Sequence, residues 1–162
     1  VGVTANPTLT VRVREDSDLP AVVDWVPDSE ALYLFAATSL TWPLTTEQLA
    51  EVGEVSGRTS WVLVDAPNPS APLAHADVTV WGDRARIGRV IVDPAHRGRG
   101  LGTTLVGLTV QEARVIGCTR VDLLVIDGNA PALRTYERLG FTYDPASDFA
   151  GMVAMTLELD LP

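Results

Sequence analysis

The sequence predicts one α/β domain, an α+β three-layer arrangement whose mixed, mostly antiparallel twisted sheet of about six or seven strands is flanked by helices. Three observations predict it. The 162 residues are 46% hydrophobic with a single cysteine, enough to bury one core without disulfide or metal staples. The first half contains short runs of strand-forming residues bounded by turn residues, as in an antiparallel meander. The second half reads strand, glycine turn, helix, strand, helix, the order of a right-handed crossover between parallel strands.

Taken in order, residues 1–8 read as a loose lead-in without the basic-then-apolar pattern of a signal peptide, and from its length the chain is expected to form a single domain over 1–162. "LTVRVRE" (9–15) alternates as a half-buried strand. "DLPAVVDWV" (18–26) reads as a helix capped by Asp16 or Ser17, with Pro20 tolerated in its first turn. A second helix follows in "WPLTTEQLAEV", where Thr45 and Gln48 have capping-box spacing. Strands are expected at 60–66, 74–82 and 85–93, the last two joined by the tight "GDR" turn. The helix after the glycine turn runs from about 102 to 116 and sets Leu101, Leu105 and Leu108 on one stripe, with Gly117 closing it. "TRVDLLVI" (119–126) is apolar on both faces and is expected to be buried. Asn129 is placed to cap a helix with Pro131 in its first turn, ending at Leu139 before Gly140; "FTYD" and "GMVAMTLELD" supply the last two strands.

The formal net charge is −9 and there is no lysine, which argues against nucleic acid as a partner, since that binding needs cations to replace counterions. No apolar run approaches the ~20 residues that span a bilayer, so no membrane role is expected. One cysteine, Cys118, excludes an internal disulfide and fits a reducing cytoplasm; it reads as a buried strand residue rather than a nucleophile. Arg84, Arg86, Arg89, Arg97 and Arg99 fall within sixteen residues. An acidic chain with one basic segment suggests an anionic ligand there and a cationic one elsewhere.

The stretch "RGRGLGT" follows a strand and opens a helix, so its backbone amides and the helix dipole can converge on a phosphate. A Walker loop requires a lysine, and the chain has none. A dinucleotide fingerprint would need glycine where Thr103 stands, with more chain after it than remains. The residues Arg97-Gly98-Arg99-Gly100-Leu101-Gly102 resemble the Arg/Gln-x-x-Gly-x-Gly/Ala signature of the GNAT superfamily of N-acetyltransferases. Downstream, "NAPALRTYERLGF" (129–141) is similar to that family's Asn-x-x-Ala-x-x-x-Tyr-x-x-x-Gly-Phe element. Close resemblance covers about residues 86–143; the first 75 match only in element order.

The resemblance implies acetyl-CoA as cosubstrate, with its pyrophosphate on Arg97, Gly98, Arg99, Gly100, Leu101, Gly102 and Thr103. It implies that Val90, Ile91 and Val92 pair with the pantetheine arm, with Val92 offering an amide to the thioester oxygen. Tyr136 is the general-acid candidate on the same grounds, and Asn129 a cofactor contact. A preorganised donor like Val92 contributes a few kcal/mol in typical enzymes. The expected reaction is direct attack by a primary amine of a small molecule or amino-acid derivative; the alternative is a non-catalytic coenzyme-A-binding module. The usual base is missing: the run that often carries a glutamate reads Leu123-Leu124-Val125-Ile126, leaving Asp77, Glu30 and His75 as candidates. His75 and Asp77 are expected to form a polar sheet face, and two ligands do not make a metal site, so no metal is expected. Acceptor contacts are expected around Trp25, Tyr33, Phe35 and Trp42. The apolar last strand is suited to a homodimer.

Overall fold

The computed structural model describes residues 8–160, so the lead-in expected at 1–8 lies outside them except for Thr8. The chain runs β1 (Leu9–Val13), α1 (Leu19–Asp24), α2 (Ser29–Ala36), α3 (Thr46–Gly53), β2 (Arg58–Asp65), β3 (Ala74–Trp81) and β4 (Arg84–Val92). It continues through α4 (Leu101–Val115), β5 (Arg120–Ile126), α5 (Ala130–Arg138), β6 (Thr142–Tyr143) and β7 (Met152–Glu158). The seven strands form one sheet in the order β1-β2-β3-β4-β5-β7-β6. Only the β4–β5 pairing is parallel, because α4 carries the chain back across the sheet between them.

The alternation of β3 explains the layers. Ala74, Ala76 and Val78 join Leu105, Val106 and Val110 of α4, Tyr136 of α5 and Phe141 in one core. A second core holds Leu19, Val22, Trp25, Phe35 and Leu49 from α1–α3 on the other side. The expected three-layer α/β architecture is therefore present.

Several local expectations change. Helix α2 was not expected. Its two turns place Leu32, Phe35 and Ala36 inside while Tyr33 and Leu34 stay exposed, so apolar residues surround the helix and no clear stripe shows in the sequence. Its cap is Asp28, whose carboxylate accepts from Ala31 N–H at 2.8 Å. Neither Asp16 nor Ser17 caps α1. Asp18 holds the cap position and spends its buried carboxylate on Arg12 at 2.7 and 2.9 Å and on the Glu15 N–H. The capping box of α3 is half formed. Thr45 Oγ1 accepts from Gln48 N–H at 3.2 Å, but Gln48 reaches the Thr41 N–H and the Pro43 carbonyl instead of the cap. Thr45→Ala should therefore cost about 1 kcal/mol, measured by urea unfolding.

The apolar β7 lies between β5 and β6. Its outer edge is occupied within the chain by Phe149, the Asp148 carboxylate, Asp144 N–H and Thr142. No helix among the described residues is long and apolar enough to cross a membrane.

Candidate active site

The site begins where the sheet comes apart. β4 and β5 pair only from Arg84↔Arg120 to Ile87↔Leu123, and beyond that the strands diverge. Against β3, Asp77 opposes Gly88 while His75 opposes Ile91, so Arg89 and Val90 together face Ala76. This is a β-bulge, and Arg89 carries it at φ 46°. The extra residue reverses the alternation. Ile87 faces the α4 core, whereas after the bulge Val90 and Val92 do, and Ile91 turns to the other core. Asp93 N–H donates to the Leu73 carbonyl at 2.9 Å. Antiparallel alternation then directs the Val92 N–H and C=O away from β3, towards the side that β5 has vacated. The Val92 carbonyl does accept from Arg97 Nε there, at 3.4 Å.

At the end of β4 the chain makes a 3₁₀ turn over Pro94–His96, with Asp93 accepting from Ala95 N–H, and enters the glycine loop. Gly98 at φ 77° and Gly100 at φ 73° adopt left-handed conformations that side chains disfavour. They hand the backbone directly to α4, where Gly100 is the cap residue and offers no side chain. The first-turn amides are therefore left to an external acceptor, with the dipole of a fifteen-residue helix behind them.

A cleft of about 600 Å³ runs along this loop. Val90, Ile91 and Val92 form one wall, and Arg97, Gly98, Gly100, Leu101, Gly102 and Thr103 form its floor. Asn129 borders it as well. Of the loop residues singled out in the sequence, Arg99 alone does not line it. The sequence missed Arg134 and Arg138 of α5, which also line the cleft. Their i, i+4 spacing puts them on one helix face, a signal visible only once that helix is known to border the loop.

A second opening of about 310 Å³ shares Leu34, Phe35, Val90 and Asn129 with the first and occupies the gap between β4 and β5. Tyr136 lines it. Its ring packs edge-on against Phe141 with centroids 5.9 Å apart, and burial pushes the phenol up to about 12. The tyrosine thus packs on the core and also lines the opening. Asn129 departs from expectation. It occupies the cap position of α5 at ψ 72°, and its side chain makes no capping bond. That backbone turn aims it away from the α5 amides and leaves its amide to both openings. β5 is buried only through Val121, Leu123 and Val125; Leu124 and Ile126 on its other face line the gap.

Behind the bulge lies a buried polar cluster that the sequence presented as a polar sheet face. His75 is 0% and Asp77 1% exposed. His75 Nε2 meets Arg14 NH1 at 2.9 Å and Nδ1 faces the Arg89 carbonyl at 3.0 Å. Asp77 accepts from Ser60 Oγ and Arg89 Nε. Burial lowers the His75 pKa, against the pull of Asp77, and leaves the imidazole neutral at pH 7. For Asp77 burial acts upward, but Arg89 and the Ser60 bond outweigh it and hold the carboxyl low. Neither residue lines an opening, nor does Glu30. Among the described residues no group of three or more His, Cys, Asp or Glu is placed to hold a metal ion. Cys118 is buried beside α4 and burial raises its thiol pKa. Of the aromatic candidates Trp25 and Phe35 border the cleft, while Tyr33 and Trp42 stay exposed elsewhere.

Against known proteins, a model described as the acetyltransferase (GNAT) family matches residues 22–141. The chain is 34% identical over 91 residues to streptothricin acetyltransferase of Streptomyces lavendulae, covering 56% of this chain and 48% of that one. It is 32% identical over 142 residues to glucosamine 6-phosphate N-acetyltransferase of Trypanosoma brucei brucei, covering 82% and 88%. The chain spans about half the length of the first curated relatives it matches. The fold is shared with spermidine N-acetyltransferase from Vibrio cholerae in complex with CoA and spermine, at TM-score 0.75 and 18% identity over 94% of this chain and 96% of that one.

Proposed function

The chain belongs to the acetyltransferase (GNAT) family, and from that premise we propose that it transfers the acetyl group of acetyl-CoA to the primary amine of a small molecule by direct attack. One observation carries the reading: the glycine loop at the start of α4 and the gap between β4 and β5 form adjoining openings bordered by shared residues. The residues fit the cosubstrate. Gly98 and Gly100 keep side chains out of a loop that presents helix-terminal amides, and Arg97, Arg134 and Arg138 add positive charge for phosphate groups.

Acetyl-CoA supplies the thioester. Val90, Ile91 and Val92 present strand backbone to the arm that carries it, and the Val92 N–H donates to the carbonyl oxygen as negative charge develops there. The amine nitrogen forms the new C–N bond as the C–S bond breaks, and the proton it sheds passes to water. Tyr136 stays protonated at pH 7 and delivers its proton to the leaving sulfur. Asn129 orients the cosubstrate with the amide its helix does not use. No carboxylate or imidazole lines the inner opening.

That missing base favours a second reading, a module that binds acetyl-CoA without turnover. Thiol release across a panel of amines separates the two: free coenzyme A in proportion to added amine supports the transferase. Cosubstrate binding with no release above background would leave only the module. The loop itself is tested by Gly100→Ala, which strains φ 73° and should weaken acetyl-CoA binding about tenfold, read by titration calorimetry. Unchanged affinity would place the pyrophosphate elsewhere.

A further inference from the structure

The chain carries a net charge of −9, yet the inner opening has a basic wall. Arg86 and Arg89 line it, and no aspartate or glutamate does. Arg86 is exposed, lies over the Trp81 ring at 5.4 Å from its centroid, and takes part in no ion pair among the described residues. The nearest acid in register, Asp122, pairs with it across the strands but is held by Arg120 at 2.7 Å.

The charge behind this wall is also unbalanced. Arg14, Arg58 and Arg89 lie close enough to act on one another or on Asp77, and His75 between them is neutral. Asp77 is the one carboxylate that acts on both Arg14 and Arg58 and bonds Arg89; Asp16 and Asp18 also act on Arg14, but Asp18 is paired with Arg12. Arg14 and Arg58 use their donors on His75, Thr79 and the carbonyls of Leu49 and Val52 rather than on acids. The excess is half-buried, where salt screens less than at the open surface. The chain's acidity lies elsewhere and does not describe this site.

From these placements we infer that the acceptor amine carries an anionic group, a carboxylate or a phosphoryl group, that docks against Arg86 at the inner opening. The inference rests on the transferase reading above. Arg86 is suited to the task because a guanidinium matches either group with two parallel N–H donors, and stacking on Trp81 holds its plane. Arg89 is committed to Asp77 through Nε, with NH1 3.5 Å from Ser39 Oγ, and supports the field from the bulge. A polyamine would bring like charge to this wall, and like-charge contacts select against a partner. This reverses the cationic acceptor that overall charge suggests.

The test uses acceptor pairs that differ only in charge: an amino acid and its amide, an amino-sugar phosphate and the free amino sugar, with a polyamine beside them. The member of each pair carrying the anion should have kcat/KM at least about tenfold higher, and the stronger pair identifies carboxylate or phosphoryl as the group recognised. Arg86→Gln should reduce that ratio to within about threefold, chiefly through KM, and Arg86→Lys should restore part of it. Neutral or cationic acceptors turned over as well as anionic ones would overturn the inference. A second measurement keeps it testable without turnover: calorimetry of the same compounds on protein saturated with coenzyme A. Anion-dependent binding lost in Arg86→Gln, with no thiol released, would sink the transferase reading and leave only an anion site at Arg86. Equal binding of both members of each pair, or none, would overturn it.

Discussion

Tyr136→Phe should lower kcat by about 10²-fold while leaving the Kd for acetyl-CoA within about threefold. Tyr136 borders the gap between β4 and β5 while its ring packs on Phe141, so phenylalanine keeps the packing and removes the hydroxyl. Burial raises the phenol to about 12. The leaving thiol has a pKa near ~8.5, so Tyr136 donates by placement rather than by driving force. Thiol-release kinetics and calorimetry on the same preparations decide the matter. Equal losses in binding and turnover would make Tyr136 a packing residue.

Asp77→Asn should destabilise the fold by about 3–5 kcal/mol, the cost of leaving a buried cation without its partner. Asp77 is 1% and the Arg89 side chain 11% exposed. The substitution leaves Arg89, at the strained bulge residue, facing a neutral amide. The same cluster gives stability a pH dependence of known sign. His75 has a lowered pKa in the fold, so below about 6.5 the unfolded chain binds a proton that the folded one refuses, and stability falls with pH. Asp77 is also held low, so its contribution is present above the ordinary carboxylate range and is lost as pH falls through the folded value. Both groups act in one direction. Tm should fall on acidification from pH 7 through His75 and again through the carboxylate range through Asp77, the second fall being absent from Asp77→Asn, and a Tm that rises towards pH 5 would contradict this account of the cluster.

What the sequence made legible follows from where each signal resides. The glycine loop was readable because left-handed backbone at Gly98 and Gly100 narrows the residue choice to nearly one. The strand, helix, strand, helix order of the second half was readable because its periods and stops are local. The cluster behind the bulge was not readable, since Arg14 and His75 meet from 61 positions apart and their partnership depends on sheet register. The bulge itself left no mark, for Arg89 is an ordinary residue in an extraordinary conformation. Asn129 misled in an instructive way: its position is that of a cap, but the φ and ψ that decide whether its side chain reaches the helix amides are set by the preceding turn. Arg134 and Arg138 were passed over because nothing local distinguishes arginines at a cleft from arginines in solvent.

The central claim is most directly tested with acetyl-CoA labelled at the acetyl carbonyl carbon, incubated with this protein and an amine bearing an anionic group, and followed by carbon NMR. The account predicts that the label leaves the thioester and appears in an amide on the acceptor, in step with free coenzyme A. Label that remains in the thioester, or emerges only as free acetate, would contradict it.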